Sequence, residues 1–419
     1  MTKKSDHPVT REGLLHALYE AAELEQDLMC TYLYAAFSLK DGEEEEGLLP
    51  QEAEAVTRWR RAIIAVAVDE MSHLAAVWNI TSSLGGAPRF GRTNFPLEPG
   101  YLPANMVVKL APFSEEVLQH FIYLERPDGS DEPDGESFAH PEMAVRTPVP
   151  LRLTPTGYDY ATIGDFYQRV ETDLRSLVDR LGEREVFCGD PALQLSRTET
   201  WLRGSTEVVD LDSALAALTE IVVEGEGAPE HRENSHFARF LTIRDEFREL
   251  KAANPDFAPA HPAAVNPVLR KPPHPEGKVW LENPEAVATV DVANAIYVLA
   301  LRLLAGAYAV PRPDARKALY TGCAIALMHA IDAMGTRAAR LPAGPSNPGC
   351  NAGVSFTALR EASALPQGPS AHKLYVERMD ELYAAVDAMD VADPKCAHVG
   401  QILQSQAARL RSTPNDSVA

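Results

Sequence analysis

Two ionisable residues, Glu70 and His73, lie three positions apart in the apolar segment VDEMSHLAAVW. This spacing puts both side chains on one face of a helix, the stripe that also carries Val66 and Val77. A carboxylate without a partner in a dry core is costly, whereas a divalent metal ion binds both groups as ligands. The alternative is that Glu70 lies at the edge of the stripe and His73 bonds a backbone carbonyl. The pair alone therefore indicates a metal site only if further ligands occur elsewhere.

The same spacing recurs in RENSHFARF, where Glu233 and His236 precede Phe240 at helical intervals. A first helix adds Glu25, on the ridge that also carries Met29. Dinuclear metal sites in helix bundles use one Glu from each of two helices and a Glu-x-x-His pair from each of two others. The sequence therefore predicts two divalent metal ions bound by Glu25, Glu70, His73, Glu226, Glu233 and His236.

Two residues compete for the position of the fourth acid. Glu226 continues a ridge of apolar residues at 211, 215, 218 and 222, whereas Glu171 is flanked by apolar residues in another helical segment. Because Glu226 and Glu233 are close in sequence, two helices would have to meet there in a very short turn. We expect Glu226 to be the ligand and keep Glu171 as the alternative.

Carboxylate oxygen and imidazole nitrogen suit iron or manganese, and no thiolate occurs in these motifs. We expect iron, with manganese or zinc as alternatives. Tyr32 lies on the ridge of Glu25, so its phenol is a candidate catalytic group near the metals. The alternative is a tyrosine packed in the core with its hydroxyl hydrogen-bonded.

Helical periodicity predicts the elements that position these residues. We expect helices near residues 10–40, 51–85, 114–127, 162–182, 211–227, 229–250, 287–310, 316–341 and 373–389. Segment 89–160 is rich in Pro, Gly and Asp and predicts a long irregular insertion, while prolines in 253–285 mark a linker. We therefore predict an all-α protein, with a four-helix bundle over 10–250 and a helical extension over 286–390.

Composition narrows the class of function. A formal charge of -21 disfavours nucleic-acid binding, and five scattered cysteines without CxxC spacing indicate neither a disulfide framework nor a zinc knuckle. We expect no signal peptide and no membrane span, because no apolar run of about 18 residues occurs. A cytoplasmic protein is therefore expected. No GxGxxG, GxSxG or P-loop spacing supports nucleotide or serine-nucleophile chemistry.

Four blocks occur in the order LEQDLMCTYLYAAFSLK, DEMSHLAAVWNITSSLGGAPRF, LDSALAALTEIVVEGEG and SHFARF. They resemble the ferritin-like domain of the iminophenylpyruvate dimer synthase family, known from violacein biosynthesis, over about residues 10–360. Asp69 stands where that family has its usual acid before the ExxH pair. The resemblance implies the same ligands: Glu25 in the first helix, Glu70 and His73 as the first pair, Glu226 in the GEG helix end, and Glu233 and His236 as the second pair.

The resemblance implies a ferritin-like bundle and an O2-dependent di-iron oxidase or oxygenase in secondary metabolism. Its substrate would be a small organic molecule, such as an amino-acid-derived imine. The alternative is a non-catalytic metal-binding or iron-storage protein, against which the long insertion and the added helical hairpin argue. We expect both additions to wall a substrate pocket beside the metals. No nucleic-acid or membrane partner is expected, and the oligomeric state is left open, with a homodimer among the alternatives.

Overall fold

The computed structural model describes residues 9–42, 47–97, 102, 106–138, 160–225, 234–358, 365, 369–389 and 393–412. Its helices are α1 (Arg11–Ser38), α2 (Pro50–Ser83), α3 (Glu115–Leu124), α4 (Ile163–Leu181), α5 (Glu183–Val186), α6 (Leu211–Glu224), α7 (His236–Ala253), α8 (Pro284–Tyr308), α9 (Ala315–Ala338), α10 (Pro369–Asp387) and α11 (Pro394–Ser412). Two short strands, β1 (Pro267–Val268) and β2 (Val279–Trp280), pair in parallel. The prediction of an all-α fold is confirmed.

Helices α1 and α2 pack side by side and form the central layer of the molecule. The side chain of Thr10 caps α1 by accepting a hydrogen bond from the Gly13 amide, and Glu52 in the first turn of α2 accepts one from the Leu49 amide. Other helices cover this layer on both sides, so most residues in the second halves of α1 and α2 are buried. Polar side chains on these helices are therefore held in the interior.

On one side of the layer, α4 and α6 pack together, and α3 packs against α7. The helices of each pair run antiparallel, so the end of α3 lies near the start of α7 and the end of α4 lies near the start of α6. Glu125 follows the last residue of α3, and Gly225 follows the last residue of α6. Helix α7 begins at His236, with Ser235 as its N-cap, and so starts later than the segment 229–250 predicted from the sequence.

On the other side, the hairpin of α8 and α9 packs against the layer, and α10 and α11 pack against the hairpin. A Cβ atom on Gly335 of α9 would lie 2.2 Å from the Phe37 ring of α1, so only glycine permits this close approach. Helix α11 lies beyond the predicted end of the extension at residue 390. It buries Val399, Leu403 and Leu410 at helical spacing, a signal that the sequence prediction overlooked.

By length and composition alone, α2, α8 and α9 are each long and apolar enough to cross a membrane. Their most apolar windows are 72%, 61% and 50% buried inside the protein, respectively. Isolated polar residues interrupt these helices, so none of them contains a continuous apolar run of about 18 residues. In α2, the apolar composition is explained by packing on two sides of the helix.

Candidate metal centre

Five ionisable side chains meet where the helix ends converge on the central layer. They are Glu25 of α1, Glu70 and His73 of α2, Glu125 at the end of α3, and His236 at the start of α7. Each is at most 1% exposed. They form two groups, Glu25–Glu70–His73 and Glu70–Glu125–His236, and within each group one ligand atom per residue lies within 4.8 Å of the others. Glu70 belongs to both groups.

The two groups have matching geometry around Glu70. Its Oε2 lies 3.1 Å from Nδ1 of His73, and its Oε1 lies 3.0 Å from Nδ1 of His236. The same nitrogen of His73 lies 3.4 Å from Oε2 of Glu25, and that of His236 lies 3.4 Å from Oε2 of Glu125. His73 thus faces Glu25 and one oxygen of Glu70, and His236 faces Glu125 and the other oxygen of Glu70.

Several of these atoms approach closely without hydrogen-bond geometry. Buried ligand atoms that lack a hydrogen-bond partner among the described residues are Glu25 Oε2, Glu70 Oε1, Glu125 Oε2, His73 Nε2 and both ring nitrogens of His236. Buried polar atoms are normally paired, because an unpaired one loses its hydration without compensation. Oxygen and nitrogen atoms that converge without bonding one another fit a pair of divalent cations.

Gly225 provides room beside the same atoms. A Cβ atom at this position would lie 3.1 Å from Cε1 of His73 and 3.2 Å from Nδ1 of His236. These separations are tighter than nearly all Cβ contacts in proteins. A side chain at residue 225 would therefore require the imidazoles or the end of α6 to shift by a few tenths of an ångström.

Two tyrosines hold the carboxylates that are not shared. The hydroxyl of Tyr167 donates a hydrogen bond to Oε1 of Glu25, and the hydroxyl of Tyr32 donates one to Oε1 of Glu125. In each carboxylate, the other oxygen is the one that faces the histidine. The tyrosines thus fix the orientation of both carboxylates.

The second nitrogen of each histidine also faces a carboxylate. Nε2 of His236 lies 3.4 Å from Asp69 Oδ2, and Asp69 accepts a hydrogen bond of 2.8 Å from Arg239. Nε2 of His73 lies 4.0 Å from Glu224 Oε2, which is beyond hydrogen-bond distance, and Glu224 pairs with Arg203 through its other oxygen. An acid behind a metal-binding histidine is a common device for orienting the ring.

Burial and the neighbouring charges shift the pKa values of the cluster residues. Burial raises the pKa of Glu25 to about 8, although His73 opposes the shift. Burial also opposes ionisation of Glu70, but attraction to His236 and His73 holds its pKa well below the usual range. For His73, burial is outweighed by Glu70 and Glu25, which raise its pKa to about 10. Metal binding would therefore displace protons from the imidazoles.

The structure brings together four of the six predicted ligands, namely Glu25, Glu70, His73 and His236. Glu226 and Glu233 lie outside the described residues, so both remain predicted ligands. The alternative acid, Glu171, lies on the surface of α4, where it forms an ion pair of 2.8 Å with Arg175, and belongs to neither group. Tyr32 contacts the cluster through Glu125.

The sequence prediction missed Glu125 and Glu224. Glu125 continues the buried ridge of Val117 and Phe121 within the predicted helix 114–127, a segment to which the sequence prediction assigns no ligand. In α6 the predicted ridge 211, 215, 218 and 222 is only partly right, because the buried residues are at 214, 217, 218 and 221. This change of face turns Glu224 towards His73.

Comparison with known proteins places the cluster in a family. A ferritin-like family model matches residues 18–245, a range that contains every residue of the cluster. The 2-imino-3-(indol-3-yl)propanoate dimerase of Chromobacterium violaceum is 28% identical over 352 residues, which are 76% of this chain and 31% of that protein. The dichlorochromopyrrolate synthase of Lentzea aerocolonigenes is 26% identical over 414 residues, 88% of this chain and 38% of that protein.

The chain thus spans about a third of the length of these two curated relatives. A crystal structure of a ferritin-like protein from Caulobacter vibrioides aligns with a TM-score of 0.47 at 20% identity, covering 75% of this chain and 95% of that one. The resemblance predicted from the sequence blocks is confirmed by the family match and the two relatives.

Proposed function

Because this chain belongs to the ferritin-like family, we propose that it is a metal-dependent oxidative enzyme that uses O2 to act on a small molecule. The observation that supports this proposal is the pair of buried ligand groups that share Glu70. Their oxygen and nitrogen donors suit iron or manganese, and we propose two iron ions. Glu226 and Glu233 are proposed as additional ligands.

The substrate class follows from the relatives. One is named as a dimerase of an indole-bearing imino acid and the other as a dichlorochromopyrrolate synthase. We propose for this chain an imine, or a related small acid, derived from an aromatic amino acid. The proposal concerns the chemical class only, because the chain corresponds to about a third of each relative.

A bound pair of iron ions would supply one-electron redox chemistry and reduce O2. Glu70 would hold both ions, with Glu25 and His73 completing one side and Glu125 and His236 the other. Tyr167 and Tyr32 keep the outer carboxylates turned towards the histidines. The burial of all five side chains keeps bulk water from the ligands.

Tyr32, the candidate catalytic residue, contributes through Glu125. Its hydroxyl donates to that carboxylate, and its ring packs against Phe121 and Phe240, with centroids 4.6 and 5.2 Å apart. We therefore propose Tyr32 as a positioning residue for Glu125. This role predicts a change in metal affinity when the hydroxyl is removed.

The experiment that tests the proposed function is stopped-flow absorbance of the ferrous protein mixed with O2, with and without a panel of aromatic imino and 2-oxo acids. We expect oxidation that one or more of these compounds accelerate. Zinc-loaded protein is the matched control, because zinc has no redox chemistry. Slow oxidation that no compound accelerates and that yields only ferric mineral would instead support iron storage. The absence of any oxidation would contradict the enzymatic proposal.

A further inference from the structure

A second site lies on the opposite side of the central layer. A cavity of about 380 Å³ is bounded by α2 and α9, and α1 and α8 form its floor. None of the five residues of the metal cluster lines it. On α2, four of its six lining residues, among them Val68, Met71 and Ala75, lie roughly 100° to 160° around the helix from Glu70, while Leu74 and Trp78 lie within about 80° of it. We call this cavity the α2–α9 cleft.

Apolar and aromatic side chains dominate the wall of the cleft. Its aromatic residues are Phe37, Trp78, Phe90, Trp201, Tyr297, Tyr308 and Phe356. Among the described residues that line the cleft, none is lysine or arginine. Asp332 is the carboxylate in the lining and faces Arg60 at 3.4 Å, while His329 is exposed. An anionic ligand would therefore find no cation in the lining to compensate for its lost hydration, and the carboxylate that a cationic ligand could use is already paired with Arg60.

Trp201 lies at the opening of the cleft and is 64% exposed. Of the other lining residues in this loop, Leu195 and Thr200 are buried and Leu202 is half-buried, so Trp201 is the lining residue of the loop that is most exposed to solvent. The indole ring of Trp201 can pack over a ligand in the cleft, and this contact would bury apolar surface of the ring itself. This arrangement favours a ligand with a flat apolar surface.

The volume of the cleft indicates the size of its occupant. Pockets for small molecules begin at about 300 Å³, a size that the cleft reaches. The cleft therefore has the dimensions of a small-molecule site.

We propose that the α2–α9 cleft binds one small, uncharged molecule with an aromatic ring system, and does so independently of the metal cluster. The proposal does not depend on the enzymatic function argued above, since no residue is shared between the cleft and the cluster.

Two probes with the same ring system test this proposal in the full chain. N-phenyl-1-naphthylamine is neutral, and 8-anilinonaphthalene-1-sulfonate adds an anionic sulfonate to the same skeleton. We expect the neutral probe to bind saturably, one per chain, with an increase in fluorescence. The sulfonate should bind at least about tenfold more weakly, because the cleft offers no cation. Equal affinity for both probes, or no saturable binding of the neutral one, would overturn the proposal.

Substitutions at Met328 locate the probe. This side chain is half-buried and lines the cleft on α9, whereas Leu374 on α10 is 48% exposed and lies outside the cleft. Met328→Trp should fill the cleft and weaken binding of the neutral probe at least about tenfold, while Leu374→Trp should not. Met328→Lys should strengthen binding of the sulfonate, and Leu374→Lys should leave it unchanged. Identical behaviour of the two positions would place the probe elsewhere.

Metal removal and sedimentation test whether the cleft of a single chain binds the probe without the metals. Binding of the neutral probe should be unchanged after metal removal by a chelator, and a dependence on metal would contradict the independence of the cleft. Sedimentation velocity of the wild type and Met328→Trp tests whether a second copy of the chain occupies the cleft. A dimer that Met328→Trp dissociates would assign the cleft to that contact and overturn the small-molecule proposal.

Discussion

The substitution Glu70→Gln tests the shared carboxylate most directly. Glu70 is common to both ligand groups, while Glu25 and Glu125 each belong to one. Glutamine keeps the size of the side chain but removes its charge and leaves only one oxygen that can bind a metal ion. We therefore expect Glu70→Gln to empty both metal positions, and Glu25→Gln or Glu125→Gln to empty one.

The magnitude follows from the contacts of Glu70. Substituting a residue that hydrogen-bonds to a metal ligand typically lowers metal affinity about 10- to 100-fold. The loss of a charged ligand itself should therefore lower the affinity about 100-fold or more at each position. Glu70 lies 3.1 and 3.0 Å from the Nδ1 atoms of His73 and His236 and is 0% exposed. Breaking a buried ion pair costs about 3–5 kcal/mol, so the free energy of unfolding should also fall.

The assay is elemental analysis after anaerobic iron loading and gel filtration, combined with chemical denaturation of the metal-free protein. The wild type should hold about two ions, Glu70→Gln about none, and Glu25→Gln about one. Glu171→Gln is the matched control, because it makes the same change in an acid on the surface of α4. If Glu70→Gln lost one ion, as Glu25→Gln does, or retained both, the inference that both positions share Glu70 would be wrong.

Three further substitutions probe the surroundings of the cluster and the hairpin. Tyr32→Phe removes the hydrogen bond to Glu125 and should weaken one metal position about 10- to 100-fold in a chelator competition assay, with folding unchanged by circular dichroism. Gly225→Ala should lower metal occupancy, because its methyl group would crowd both imidazoles; full occupancy would show that the end of α6 can move away. Lys317→Met removes hydrogen bonds of 2.8, 2.9 and 3.2 Å to three backbone carbonyls and should lower the free energy of unfolding by about 3 kcal/mol, measured by chemical denaturation.

The sequence predicted Glu70 and His73 because both lie within one long helix, where burial repeats with the helical period. The place of Glu125 in the cluster could not be predicted in the same way, because it lies after the last turn of α3 and its partners come from distant segments. Helix α6 has apolar residues on several faces, so periodicity did not select the buried one. The late start of α7 agrees with Ser235, whose side chain caps the helix by accepting from the Ala238 amide.

The position of the pocket also required the tertiary structure. The sequence predicted that the C-terminal hairpin would wall a pocket beside the metals. The hairpin does line a cleft, together with Phe90 from the predicted insertion, but this cleft lies across the central layer from the cluster. A helix whose residues are apolar nearly all round can be covered on either side, and its composition does not indicate which partner takes which side.

Helix α2 connects the two sites because it presents a different face to each. Glu70 and Met71 are adjacent in the chain, yet Glu70 lies in the metal cluster and Met71 lines the cleft. Both faces are covered by other helices, so rotation of α2 about its axis would disturb the ligands and the cleft together. A side-chain change confined to the cleft, such as Met328→Trp on α9, leaves α2 in place. Coupling between a cleft ligand and the metals would therefore require movement of α2, or of α1, which also contributes residues to both sites.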